Sequence, residues 1–544
     1  MPFEVFKKGF KLSLYLITSS FLILNLVSCS PRKSYSLIIK NGLIIDGTGK
    51  KAFQADLAIQ GEHIAKIGHL TKARAQRVID ASGLVVSPGF IDVHTHGDRG
   101  LLRVPSADNY IRQGVTTIIG GNCGSHHFPL NELFEQLEKT GIALNFGCLV
   151  GHNTIREKVM GLKMEEPTEE EMAEMKRLID QEMRSGALGF STGLAYLPGT
   201  YSKTEEIVEL ASVAARYGGI YASHIRDQGK KITEAIEEAI EVGRRNRMKV
   251  QISHIKLADE AVWNEIDRIS GPVEKARREG IEVYCDLYPY TATSSGFTSS
   301  FPSWVFEGGE DKFKERLEDA EIYRKVKDFI IERRLRSERG INRLQAILFA
   351  RCRQHPEYEG KNLEEILRMK GKEPTVEAAA DLIIEIEKGG GAQGIFFQMD
   401  EADVAELMKL PYVMIGSDGE IQVFGRGFPH PRSYGTFPRV ISLYCQGKRT
   451  LSLELAIEKM TSLPATAFDL EKRGSLKKGY FADIVIFDPE KFKDEATYGE
   501  PHRYPSGLHL VMVNGQIVFE QGEMKPVFPG KILRGKGAFS GRKS

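Results

Sequence analysis

The chain has 544 residues, with 74 Lys plus Arg against 73 Asp plus Glu and a formal net charge of +1. Near neutrality argues against a nucleic-acid binder or a strongly charged docking surface. The length allows a large core and more than one domain.

Lys7, Lys8 and Lys11 precede an apolar run over residues 12–27, which ends Leu26-Val27-Ser28-Cys29. The run is short for a membrane-spanning helix, which needs about 20 apolar residues. A basic stretch, an apolar stretch and a small residue together form an export signal. Ser28 before Cys29 resembles a bacterial lipobox. That resemblance implies a signal peptide over 1–28, lipidation at Cys29, and an exported lipoprotein, periplasmic or at the cell surface. Contact with the membrane would then run through the lipid alone. The other cysteines are irregularly spaced without a CxxC, so no disulfide framework is expected. Cys148 and Cys285 sit in strand-like runs and read as core residues.

Residues 35–86 read as β-rich. Asn41-Gly42 and Gln60-Gly61 lie between aliphatic runs and predict hairpins. The far end, 468–533, has the same character, with Asn514-Gly515 as a further turn. One small β-sandwich built from both termini is the expectation. Between them, 87–467 alternates strands and helices. Thr168 and Glu171 form a capping box opening a helix with an apolar stripe of Met172, Met175, Leu178, Ile179 and Met183. Strand candidates end at or near His94, Cys123, His152, Tyr196, His224, His254, Tyr288 and Asp418, and 394–399 is a competing ninth. Eight such units predict an α/β fold, a (β/α)8 TIM-like barrel. A charge-rich helical stretch, 304–391, breaks the rhythm and reads as an insertion or lid.

The chemistry is concentrated at the strand ends, where such barrels do their work. His94 and His96 are two apart on an extended chain, so both rings face one side. Asp92 and Asp98 flank them. His94 and Cys123, like His224 and His254, are about 30 residues apart, the length of one barrel unit. Imidazoles and a thiolate are zinc ligands, and a catalytic zinc keeps a position open for water. Asp418 is placed to move a proton.

PGFIDVHTH, GGNCG, ASHIRDQG, ISHIK and IGSDG, with β-rich ends, resemble the amidohydrolase superfamily, and within it the D-aminoacylase (N-acyl-D-amino-acid deacylase) family. The resemblance implies a zinc enzyme that hydrolyses N-acyl-D-amino acids, small-molecule substrates, to a carboxylate and a D-amino acid. Carried over by motif, Cys123, His224 and His254 hold a tightly bound Zn2+. His94 and His96 form a second, weak or empty position. Asp418 is the general base and acid, and Tyr196 polarises the scissile carbonyl. Lys256, and Tyr288 in DLYPY, hold the substrate carboxylate, with Arg432 and Arg439 of HPRSYGTFPR as weaker substrate-binding candidates. Two alternatives stand beside this. One is a cyclic amidase or dipeptidase of the same superfamily, although most of those use a carboxylated lysine where this chain presents Cys123. The other is a non-catalytic surface lipoprotein that keeps the fold.

Overall fold

The computed structural model describes residues 34–539. The signal peptide expected over 1–28 and the lipidation expected at Cys29 lie outside the described residues. No helix among the described residues is long and apolar enough to cross a membrane.

Both termini build one nine-stranded sheet. The N-terminal part supplies β1 (Ser34–Ile44), β2 (Phe53–Gln60), β3 (His63–Gly68), β4 (Arg74–Asp80) and β5 (Val85–Pro88). The C-terminal part supplies β18 (Ile484–Phe487), β19 (Leu508–Val513), β20 (Gln516–Glu520) and β21 (Glu523–Met524). The two parts meet where β18 pairs antiparallel with β5, Ile484 opposite Pro88. Leu37, Ile39 and Leu57 of the first part share one core with Ile484, Ile486 and Met512 of the second. This shared core joins the two terminal parts into one unit.

Two of the three predicted turns form as hairpins. Gly61 joins β2 to β3 at φ +58°, and Asn514-Gly515 joins β19 to β20 at φ +45° and +79°, the left-handed pair that a two-residue hairpin demands. The third does not. The Asn41-Gly42 stretch stays inside β1 as a bulge, where the register with β2 shifts between Ile39 and Gly42. Pairing explains the difference: β1 carries β2 on one edge and both β4 and β5 on the other, so the strand cannot fold back.

The barrel strands are β6 (Phe90–Asp92), β7 (Val115–Gly120), β8 (Asn145–Cys148) continued by β9 (Val150–Gly151), β10 (Gly189–Gly193), β11 (Ile220–His224), β12 (Val250–Ile252), β13 (Val283–Leu287) and β17 (Val413–Ile415). All pairings among them are parallel. A parallel bridge from Thr95 to Gly419 closes the ring. All eight strands are buried throughout, as expected for a sheet covered on both faces. The helix Glu169–Ser185 opens on the Thr168 capping box and buries Met175, Leu178, Ile179 and Met183, with Met172 partly buried.

The interruption in the barrel is larger and less helical than its charge pattern predicts. It contains an antiparallel sheet of β14 (Ala292–Gly296), β15 (Ile347–Arg351) and β16 (Gln393–Phe397), in the order β14-β16-β15. The competing candidate at 394–399 is therefore an insertion strand. Phe297, Phe306, Phe313, Phe349, Ile383 and Phe396 give this unit its own core.

Candidate metal centre and cleft

Apolar strands carry their polar last residues to one end of the barrel. β6 runs into His94 and His96, β7 into the loop Gly121–Gly124, β11 ends on His224, β12 runs into His254, and β17 into Asp418. The loop at Cys123 needs its glycines. Gly124 has φ +74°, and a Cβ there would lie 2.0 Å from Asn153 Oδ1 and 2.6 Å from the Gly193 nitrogen.

Cys123 Sγ lies 3.3 Å from His94 Nε2, 3.4 Å from His254 Nε2 and 3.7 Å from His224 Nδ1. His96 Nε2 is 3.2 Å from Asp418 Oδ1, and His94 Nε2 is 3.5 Å from the same oxygen. Two overlapping sets result, Cys123 with His224 and His254, and His94, His96, Cys123 and Asp418, each with donor atoms within 4.8 Å of one another. All are buried except His96, which is partly exposed.

The electrostatics of this cluster call for a cation. Burial disfavours the Cys123 thiolate, yet His94 leads the groups that hold the thiol well below its usual range, while burial pushes His254 itself down to about 3, leaving that ring neutral. Burial likewise opposes a charge on His96, but Asp418 and Cys123 raise it to about 9. Burial opposes ionisation of Asp418 too, and the Arg432 guanidinium, 2.8 Å away, leads the groups that hold it well below the carboxylate range. A sulfur and a carboxylate, both anionic and buried, are thus balanced by protons on imidazoles. A divalent ion does the same with ligands it prefers, and a thiolate with neutral imidazoles is a zinc donor set. The residues fit zinc.

Two supporting residues were not singled out from the sequence. Asp286 is buried and accepts from His94 Nδ1 (3.0 Å), the His254 backbone N–H (2.9 Å) and Gln251 (2.5 Å). Gln228 reaches His254 Nδ1 at 3.0 Å and accepts from Lys256 Nζ at 3.1 Å. Such partners fix ring orientation and tautomer. Asp286 stood in DLYPY and Gln228 in ASHIRDQG, so the signal was present but assigned to their neighbours.

The cluster opens onto a cleft of about 620 Å³, lined among others by Tyr196, His224, His254, Lys256, Tyr288 and Asp418. The Tyr196 ring packs on His224 at 4.4 Å between centroids. Lys256 Nζ and the Arg432 guanidinium stand 5.4 Å and 4.9 Å over the Tyr288 ring. Burial lowers Lys256 to about 7 and raises the Tyr288 hydroxyl, which has no protein hydrogen-bond partner. Arg439 is elsewhere: it donates to the Pro289 carbonyl at 2.7 Å and pairs with Asp494 at 3.0 Å. His152 also stands apart, paired with Glu206 at 2.8 Å. Asp92 accepts from the backbone of His94 and Ser417, and Asp98 from that of His127.

The model of the amidohydrolase family matches residues 77–287 and 361–519. D-aminoacylase of Alcaligenes xylosoxydans xylosoxydans is 35% identical over 530 residues, 93% of this chain and 99% of that protein. N-acyl-D-aspartate deacylase of the same organism is 34% identical, over 91% of this chain and 94% of that protein. Among solved structures, N-acyl-D-glutamate deacylase from Bordetella bronchiseptica, complexed with zinc and a phosphonate mimic of the tetrahedral intermediate, matches with a TM-score of 0.79. It is 32% identical, over 92% of this chain and all (100%) of that one. An L-hydantoinase from Arthrobacter aurescens, at 18% identity and a TM-score of 0.54, shares the fold alone. The family model spans more than half of the chain and relatives at 32–35% identity span nearly all of it, so the chain belongs to the amidohydrolase family, in its D-aminoacylase branch.

Proposed function

We propose that the chain is a zinc-dependent amidohydrolase that cleaves N-acyl-D-amino acids to a carboxylate and a free D-amino acid. The observation that carries the reading is the convergence of Cys123, His224, His254 and Asp418 from separate strands into one donor cluster, of which His224, His254 and Asp418 line the cleft. The relatives add the substrate class, since those above are D-aminoacylase and deacylases of N-acyl-D-aspartate and N-acyl-D-glutamate.

Cys123, His224 and His254 would hold one zinc tightly, and His94 and His96 a second, weaker one. When bound, zinc supplies a Lewis acid for the acyl carbonyl and lowers the pKa of water. Asp418, held ionised, takes a proton from the attacking water and later returns it to the departing nitrogen. Tyr196, whose hydroxyl burial keeps protonated, donates toward the acyl oxygen. Lys256, Arg432 and the unpartnered Tyr288 hydroxyl receive the α-carboxylate, the planar Arg432 fork suiting it best. Fixing that carboxylate while the acyl oxygen faces the metal ligands leaves one hand of the α-carbon with its side chain toward open cleft.

The reading is tested with Asp418→Asn and Cys123→Ala, assayed on N-acetyl-D-amino acids. Loss of general acid–base catalysis costs about 10²–10⁴ in kcat, so Asp418→Asn should fall by that factor, and Cys123→Ala at least as far. Undiminished turnover by either variant would end the mechanism. The lipobox-like Leu26–Cys29 sequence carries the further proposal that the enzyme is exported and lipid-anchored.

A further inference from the structure

The insertion forms the wall of the cleft facing Tyr196, and it carries a cation without a counter-charge. Arg334 lies in the π-helical turn Ile331–Leu335, and lines the cleft with Ser294, Ser295, Ser299 and Gln398. Its guanidinium donates from Nε to Ser300 Oγ at 3.2 Å, from Nη1 to Gln398 Oε1 at 3.0 Å and from Nη2 to Ser299 Oγ at 3.1 Å. It stands 4.9 Å over the Phe396 ring. Every acceptor is neutral.

Three other arginines of the cleft are balanced, while Arg333, which is exposed to water, donates to the Ser299 carbonyl at 3.4 Å. Arg226 pairs with Glu238 at 2.8 Å, Arg336 with Glu332 at 2.7 Å, and Arg343 with Glu260 at 3.1 Å. Among the described residues no carboxylate pairs with Arg334, and the neighbouring charges are like ones, those of Arg333, exposed beside it, and Arg343. Arg334 is partly exposed to the cleft, and partial burial, with Arg333 and Arg343, lowers it to about 9. Leaving such a charge unpaired is costly, and neutral acceptors recover only part of that cost. A planar fork held by Ser300, Gln398 and the Phe396 ring is oriented for an incoming carboxylate.

We propose that Arg334 receives a second carboxylate of the substrate, so that the preferred substrates are N-acyl-D-amino acids with an anionic group beyond the α-carboxylate. The inference rests on the deacylase reading above. Lys256 and Arg432 serve the α-carboxylate beside Asp418, and Arg334 meets the additional one from the insertion side. That carboxylate belongs either to the side chain, as in D-glutamate or D-aspartate, or to the acyl group, as in an N-succinyl amide. Sequence identity does not decide, because D-aminoacylase and the N-acyl-D-glutamate and N-acyl-D-aspartate deacylases match at 35, 32 and 34%.

The test is a comparison of kcat/KM on the zinc-loaded full chain for N-acetyl-D-glutamate, N-acetyl-D-aspartate, N-succinyl-D-leucine, N-acetyl-D-leucine and N-acetyl-D-methionine. At least one anionic arm should exceed the two neutral substrates by about tenfold or more, as for a site built around a polar substrate group. A glutamate or aspartate preference assigns the side chain, and an N-succinyl preference assigns the acyl group. Arg334→Met should collapse the ratio, mainly through KM, and Arg334→Lys should recover part of it. The wild-type ratio decides even where a variant fails to fold. Neutral substrates turned over as fast as every anionic one, or a ratio unchanged in folded Arg334→Met, would overturn the inference. If no member of the panel is hydrolysed, the deacylase reading itself fails, and the inference falls with it.

Discussion

Cys123, His254 and Asp418 hold φ values of +54°, +35° and +51°, a region that L-residues with a Cβ rarely occupy. Backbone held there costs of order 1–3 kcal/mol per residue and persists where the surroundings over-determine it. Here the surroundings are visible. The Asp418 N–H donates to the His94 carbonyl at 2.8 Å, and the His254 N–H donates to Asp286 at 2.9 Å. Asp286 therefore fixes one ring through its nitrogen and another through its backbone. Asp286→Asn should lower metal affinity by about 10–100-fold, the range for such supporting residues. Competition against a chromophoric chelator measures it, and unchanged affinity would remove Asp286 from the account. The donors themselves were legible in the sequence because apolar runs ended on them. Asp286 and Gln228 lay within strand-end motifs whose other residues drew the attention, and Arg334 lay outside any motif, because the work of all three depends on which side chains meet them in the fold.

At the scale of elements, local signals survived except where strand pairing overrode them. The Thr168 capping box and the Asn514-Gly515 turn formed as read, since each satisfies its own backbone. Asn41-Gly42 had the same turn chemistry, but partners on both edges of β1 kept the strand straight. β14 reads Ala-Thr-Ser-Ser-Gly, without apolar alternation, and could be recognised as a strand only through its pairing with β16. The helix Glu401–Lys409 carries a different test. Asp403 accepts from the Asn264 N–H at 2.9 Å, and burial raises its carboxyl to about 6 from 3.8. Between pH 4 and 6 the folded state keeps a proton that the unfolded chain has lost, so stability falls as pH rises through that window. The full penalty is present above pH 6 and absent below pH 4. Asp403→Asn keeps the acceptor and removes the charge, so it should be more stable than the parent at pH 7, by about 1–2 kcal/mol. The gain should vanish at pH 4. Urea midpoints at the two pH values check it, and a gain equal at both would contradict the assignment.

At the scale of the whole molecule, three bodies divide the work. The barrel presents the donors, the insertion walls the cleft, and the terminal sheet binds the two ends of the chain together beside β6. The last stretch of chain also passes the barrel, where Phe146 donates to the Lys531 carbonyl at 2.9 Å and Ile532 bridges to Phe146. Ser34 begins β1 only a few residues after Cys29, so a lipid at Cys29 would hold the sheet close to the membrane. Cys29→Ser should move the protein from the membrane fraction to the soluble fraction when the full chain is expressed in a bacterial host. An identical distribution of parent and variant would contradict the lipid anchor.

The account depends most on a shared ion held by Cys123, His224 and His254. The direct measurement is turnover of N-acetyl-D-amino acids against zinc content, starting from chelator-stripped protein. Activity should be absent without metal, rise to its plateau near one zinc per chain, and fail to return in Cys123→Ala at any zinc level. Full turnover by the stripped protein, or by Cys123→Ala, would contradict it.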